Sequence, residues 1–194
     1  MAKRFGLSLA VLLVVALIYS GFVFAVSPEF SADLIMTDAK GQTATGKIYV
    51  QGTDRIRQEI SDQGEVGVTI LRMDKKVCWT LMPEQQYMEI KFPFDPNQPN
   101  PEYQYDQKTL GTETVNGYSC QVIQYTYKDK KHGVLLQWIA DELGFAVKTQ
   151  TKNARGKVSS TVEYKNIVQG KQMDELFEIP AGYEEFSILP KLPF

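Results

Sequence analysis

From residue 30 to residue 166 the chain consists mostly of short runs in which apolar and polar residues alternate, broken by Gly, Asn, Asp or Pro. A period of two sends successive side chains to opposite sides of an extended backbone, so each run reads as a strand with one dry and one wet face. Phe30, Ala32, Leu34 and Met36 share a face of the first run, and Ile48 and Val50 share one in the second, residues 46–51. Ile56 and Ile60 oppose Arg55, Arg57 and Glu59 in the third. Val66, Val68 and Ile70 mark a fourth run, Val77, Trp79 and Leu81 a fifth, and residues 87–92 a sixth. The pattern resumes at Tyr118, where Cys120, Val122, Gln124 and Thr126 alternate with Gln121, Ile123, Tyr125 and Tyr127, and continues through residues 134–140, 145–151 and 158–166.

The interruptions are as informative. Residues 92–101 read FPFDPNQPNP, and four prolines in that stretch exclude a central strand, because proline donates no ladder hydrogen bond. Residues 102–110 are read as a short helix. Lys130 to Gly133 and Asn153 to Gly156 read as hairpin turns, each with a glycine for positive φ. Asp174 to Phe177 reads as one helical turn, ended at Ile179-Pro180. About ten strands at hairpin spacing with almost no helix predict a mainly β domain, a strongly curved antiparallel sheet or incomplete β-barrel with few short helices. The dry face needs cover that helices do not supply. Either the sheet closes on itself or its concave side is a pocket.

The amino terminus indicates the compartment. Lys3 and Arg4 precede an uncharged apolar run at residues 7–24, and Val23-Phe24-Ala25 places small residues at −3 and −1 of a cleavage point. That is the layout of a secretory signal peptide over residues 1–25, leaving a single domain at residues 26–194. The rival reading is an uncleaved anchor, since about 18 apolar residues just span a bilayer. No cysteine stands near the cleavage point to carry a lipid. The expected location is the periplasm, as a soluble protein after cleavage. Of the 21 basic residues two lie in the leader, so the remainder carries an excess of the 23 acidic ones, arguing against nucleic acid and against general attraction to anionic lipid.

No catalytic machinery stands out. The one histidine, His132, sits in a polar Lys-Lys-His-Gly turn that reads as surface, whereas a catalytic histidine needs an orienting group and a nucleophile within reach and a metal site usually recruits several His or Cys ligands. Phosphate loops and nucleophile elbows are absent from the sequence. The acidic pairs Glu184-Glu185 and Asp141-Glu142 fall in turn-like segments and read as solvated charge. The expectation is no enzyme, no metal and no cofactor. Cys78 and Cys120, both in strands of an exported chain, are a possible disulfide, with two buried thiols as the alternative.

What remains is greasy surface. Leu34, Met36, Ile48, Val50, Ile70, Trp79, Leu81, Met88, Ile90, Val122, Leu136 and Trp138 are the candidate lining of an apolar concavity. An ordinary packed core is the competing reading for each.

Several short stretches resemble one family. They are FSADLIMT from Phe30, GKIYV from Gly46, RIR from Arg55, CWTLMP from Cys78, GTE at Gly111 with NGYSC from Asn116, WIA at Trp138 with LGFAVK from Leu143, and LFEIPAGY from Leu176. In order and spacing the chain is similar to the LolA/LolB-like periplasmic lipoprotein carriers, including the RseB-type sensors, and more closely to their outer-membrane lipoprotein-sorting-like branch. That resemblance implies an incomplete barrel whose interior accepts lipid or lipoprotein acyl chains, with transient membrane contact. Two family features have no counterpart: a helix before the first strand, and an Arg-Pro pair where Gln51-Gly52-Thr53 stands. The alternative function is an envelope sensor or scaffold that binds another protein and has no ligand cavity.

Overall fold

The computed structural model describes residues 27–62, 65–91 and 104–186; the leader and the proline-rich stretch at 92–101 lie outside them. The strands are β1 (Glu29–Asp38), β2 (Thr43–Gln51), β3 (Arg55–Asp62), β4 (Glu65–Arg72), β5 (Val77–Met82), β6 (Gln86–Lys91), β7 (Tyr105–Val115), β8 (Tyr118–Tyr127), β9 (Val134–Ala140), β10 (Phe145–Lys152), β11 (Val158–Gln169) and β12 (Glu184–Glu185). They form one 12-stranded sheet in the order β12-β6-β5-β4-β3-β2-β1-β11-β10-β9-β8-β7. Every pairing is antiparallel except that of β12 with β6. The sheet ends at β12 and β7 and does not close. Among the described residues the helical segments are short 3-10 turns at Pro83–Gln85, Lys130–His132 and Asp174–Phe177, and no helix is long and apolar enough to cross a membrane.

The short helix expected over residues 102–110 is corrected: from Tyr105 onward this segment is β7, paired with β8 from Tyr105 opposite Tyr127 to Val115 opposite Tyr118. Its side chains are exposed along almost its whole length, so no apolar alternation marks it. Backbone pairing with an exposed strand overrides weak local preference.

With no long helix among the described residues to cover its apolar face, the sheet covers itself. The β7–β8 hairpin turns at Asn116 and Gly117, both at positive φ (50° and 88°), the conformation a tight two-residue hairpin loop requires. Asn116 Nδ2 donates to the backbone oxygen of Tyr164 at 2.9 Å. Tyr164 lies on β11, three strands from β8, and adjacent strands sit about 4.8 Å apart. A flat sheet would hold these groups ~14 Å apart, so the hairpin end must fold back over the sheet.

Irregularities in the ladders make the bend. Pairing of β10 with β11 starts only at Lys148, so residues 145–147 peel away from β11. The same strand shifts register against β9 between Ala146 and Lys148, and β1 shifts against β11 between Ser31 and Asp33. An extra residue in one strand bends it and raises the local twist. The freed Phe145 meets Phe30 edge-on at 5.2 Å and Tyr164 at 6.0 Å. One buried cluster therefore draws side chains from β1 to β5 and from β8 to β11.

Cys78 on β5 and Cys120 on β8 both enter that cluster, and both are free thiols. The disulfide considered above is not formed. Burial pushes the Cys78 thiol up to about 12 and raises that of Cys120 as well, so neither carries the thiolate that reacts. In the native protein a thiol reagent should label neither cysteine on the timescale at which it labels both in denaturant; rapid native labelling would contradict the burial. Replacing Asn116 by Gly keeps the turn conformation but leaves the Tyr164 oxygen without its donor. This should lower stability by about 1–2 kcal/mol in urea unfolding, with faster amide exchange at the hairpin end.

Candidate binding site

The face of β1 carrying Phe30, Ala32, Leu34 and Met36 continues through Ile48 and Val50 on β2 to Ile56 on β3. Cross-strand register then runs Ile56 to Leu71, Leu71 to Cys78 and Cys78 to Ile90. This is the interior. Of the twelve candidate lining residues, Leu34, Met36, Ile48, Val50, Val122, Leu136 and Trp138 are buried in this cluster, and Ile90 packs against it. Met88 lies opposite Thr80, two residues from Ile90 and on the same face. Trp138 stands at the boundary. Its indole N–H donates to Glu113 Oε2 at 2.7 Å, and Lys148 Nζ sits 4.9 Å above its ring.

Ile70, Trp79 and Leu81 are elsewhere. They lie on the opposite face, clustered with Val77 and Phe177. Residues 77–81 of β5 are all buried, so both of its faces are covered and alternation does not say which is the interior.

The cover of this second face is the segment after β11. Phe177 is fully buried there, with Leu176, Ile179 and Tyr183 beside it, and β12 then pairs with Gln86 and Tyr87. A row of polar side chains holds the segment down. Gln51 Nε2 and Arg55 Nη1 donate to Asp174 Oδ1 at 2.9 and 3.2 Å. Arg57 Nη1 donates to the Leu176 oxygen at 3.1 Å. Arg72, 3% exposed, donates to the Phe177 oxygen at 3.1 Å, to Glu178, and through two nitrogens to Asp74 at 2.8 and 2.7 Å. Lys75 donates to Glu178 Oε2 at 2.9 Å. Arg55 and Arg57 are residues that alternation sends to the wet face; they serve a strap.

The interior also contains polar groups that sequence reasoning passes over. Gln58, Thr69 and Thr80 are successive cross-strand neighbours on β3, β4 and β5, with exposures of 1%, 3% and 3%. Gln58 Nε2 donates to the Tyr164 hydroxyl at 3.4 Å, and burial raises the pKa of that phenol, keeping it neutral. Gln58 Oε1 and Thr80 Oγ1 have no partner in the described protein. The available signal is parity: Gln58 falls between Ile56 and Ile60, on the inward side of its run.

A recess of about 530 Å3 opens on the other side of the sheet, beside Ile35, Lys47, Glu59 and Val66. It is open to solvent and crossed by the Lys47–Asp33 ion pair at 2.9 Å, so it cannot shield a hydrocarbon chain from water. Among the described residues no group of three or more His, Cys, Asp or Glu is placed to hold a metal ion.

The model of a domain of unknown function, DUF4412, matches residues 31–144. No curated protein matches the chain. Among solved structures the chain is similar to an uncharacterized conserved protein from Thermus thermophilus, with 10% identity, 91% of this chain and 98% of that one covered, and a TM-score of 0.61. It is also similar to MucB in the MucA/MucB complex of Pseudomonas aeruginosa, with 14% identity, 79% and 56% covered, and a TM-score of 0.53. The chain thus spans little more than half of MucB. A LolA superfamily protein from Nitrosomonas europaea matches at 12% identity over 80% and 91% of the two chains, with a TM-score of 0.41. At these identities what the chain shares with the Thermus thermophilus protein and with MucB is the fold alone, which here is mainly β.

The strap makes stability depend on pH. The hydrogen bond from Arg72, with burial opposing, lowers the Asp74 carboxyl below its usual range; burial works against ionising Glu178, but Lys75 and Arg72 together lower it too. The hydrogen bond from Gln51 lowers Asp174. A carboxyl lowered in the folded state contributes stability that is complete above its unfolded value, near pH 4 to 4.5, and is lost as pH falls through the depressed folded value. Urea midpoints should therefore hold from pH 7 to about 5 and drop below pH 4. Arg72→Met should cost about 2 kcal/mol at pH 7 and flatten that acid limb; an unchanged limb would show that the strap's ion pairs are not its source.

Proposed function

This chain belongs to the DUF4412 family of domains of unknown function, and for it we propose a role in binding rather than catalysis: an exported, periplasmic carrier that holds an acyl chain of a lipid or lipoprotein in the interior of its curled sheet. The observation that carries the reading is how the interior is closed. One apolar cluster is shared between two halves of an open sheet. Among the described residues the hairpin end that folds over it is fastened to β11 by one hydrogen bond, from Asn116. Such a closure can lift without breaking a strand ladder. An apolar chain entering between the halves exchanges water for Leu34, Ile48, Val122 and Leu136, at about 0.8 kcal/mol for each methylene buried. The mechanism is passive: shield the chain, then release it to a partner or membrane as the hairpin opens.

Protein purified from the periplasm without detergent should yield lipid in an organic extract analysed by mass spectrometry. A neutral apolar dye should be bound by stripped protein and displaced by lipid. A clean extract together with no dye uptake sinks the carrier reading.

A second reading, an envelope scaffold, rests on β7. Nine of its 11 residues are exposed, along one edge of the sheet with no described strand beyond them, and an extended segment of another protein can add to such an edge. MucB, of similar fold, has been solved in complex with MucA.

A further inference from the structure

The interior is not uniformly greasy, and its polar atoms are aligned. Gln58, Thr69 and Thr80 stand side by side across β3, β4 and β5, and the row continues to Met88 on β6. The adjacent row on the same face is Ile56, Leu71, Cys78 and Ile90. A buried polar atom without a hydrogen bond costs about 1–3 kcal/mol, so a row that leaves Gln58 Oε1 and Thr80 Oγ1 unpartnered is matched to something the described residues do not provide. The capacities are specific. Gln58 Oε1 is an acceptor and needs a donor. The Tyr164 hydroxyl already accepts from Gln58 Nε2 and retains its own proton to give. Thr80 can do either. Among the described residues the one buried cation, Arg72, is tied to the strap on the opposite face, and Lys148 meets the cluster at its boundary, over Trp138, so a carboxylate or phosphate buried beside Gln58 would have no counter-charge there.

Taking the carrier reading as given, we infer that this row is a polar subsite selecting an uncharged group that both donates and accepts hydrogen bonds, namely an amide-linked or hydroxylated acyl chain, and that it discriminates against free fatty acid. The group's N–H or O–H meets Gln58 Oε1, and its oxygen accepts from Tyr164 or Thr80. The hydrocarbon lies along Ile56, Leu71, Cys78 and Ile90. The row reaches Met88, and β12 pairs only with Gln86 and Tyr87, so the subsite runs out toward an edge of the sheet with no described strand beyond it.

The test is displacement of a neutral apolar dye from the full chain by four probes of equal chain length: N-methyltetradecanamide, 1-tetradecanol, methyl tetradecanoate and, at pH 8, tetradecanoate. The amide and the alcohol should bind about tenfold more tightly than the ester, which has no donor, and more tightly still than the carboxylate. Gln58→Met and Thr80→Val, singly and together, should erase the amide-over-ester preference while chain binding persists. Because Thr80→Val removes an unsatisfied buried atom, that unliganded variant should unfold at the same or a higher denaturant midpoint, whereas Gln58→Met also strips the Tyr164 hydroxyl of its donor and should unfold at the same or a somewhat lower one. A carboxylate that binds as well as the amide overturns the inference and leaves the carrier reading standing. So does a preference that survives both substitutions, since the polar row then holds only water. If no probe displaces the dye, or no dye binds, the carrier reading itself fails and this subsite with it.

Discussion

A sheet of 12 strands with one dry face, and no helix among the described residues to lay on it, has to fold that face onto itself. Most of the architecture follows from this requirement. A regular ladder twists gradually; it does not bring a hairpin on β8 back to β11. The fold achieves this by local breaks: register shifts at Ala146/Lys148 and Ser31/Asp33, and a β10 that leaves β11 before Lys148. Where β10 has gone, the Tyr164 oxygen lacks a ladder partner on that side, and Asn116 supplies one. The group left open by the bend is what fastens the hairpin that the bend carries over.

The opposite face of β3 to β6 is solved differently. There the cover is a strap of chain with Phe177 as its apolar anchor. A strap of irregular backbone has carbonyls to satisfy, and Arg57 and Arg72 do so directly at Leu176 and Phe177. Arg72 can lie almost wholly buried because Asp74 matches its fork with two hydrogen bonds and Glu178 adds a third contact. Planar, always-charged guanidinium suits that place as lysine would not. One sheet thus carries two kinds of closure. The strap is tied by many ionic and backbone bonds, whereas among the described residues the hairpin end is held by one side-chain bond and the packing of Val115 and Tyr118. On the carrier reading proposed above, that asymmetry favours entry on the hairpin side.

The strands of the first half are legible because Leu34, Ile48, Ile56 and their neighbours keep strict parity, and parity survives burial on one face. It fails where that condition fails. Residues 77–81 are buried on both sides, so alternation groups Ile70, Trp79 and Leu81 with the interior although Phe177 covers them from the other face. β7 escapes sequence reading since an edge strand of Gln, Lys, Thr and Glu has no dry face to announce it. The bulges have no sequence signal comparable to a turn; Val147 extends an apolar run and gives no warning that the pairing slips there. Gln58 is visible by parity alone, but a polar residue at an inward position is easily read as a strand's imperfection; Thr80 is hidden, because alternation with Trp79 and Leu81 sends it to the wrong face.

That imperfection separates a core from a container. A core evolved only for stability replaces an unsatisfied glutamine oxygen by a methylene, because the exchange removes a desolvation penalty and retains the volume. Gln58 and Thr80 instead hold polar atoms in register beside Thr69 and Tyr164, at the depth where two halves of an open sheet meet. On the carrier reading, stability is given up at the closure that must lift. Unpartnered hydrogen-bonding capacity there would discriminate between guests by what each fails to satisfy, and such discrimination is stronger than a greasy wall can exert on chains that differ only at one end.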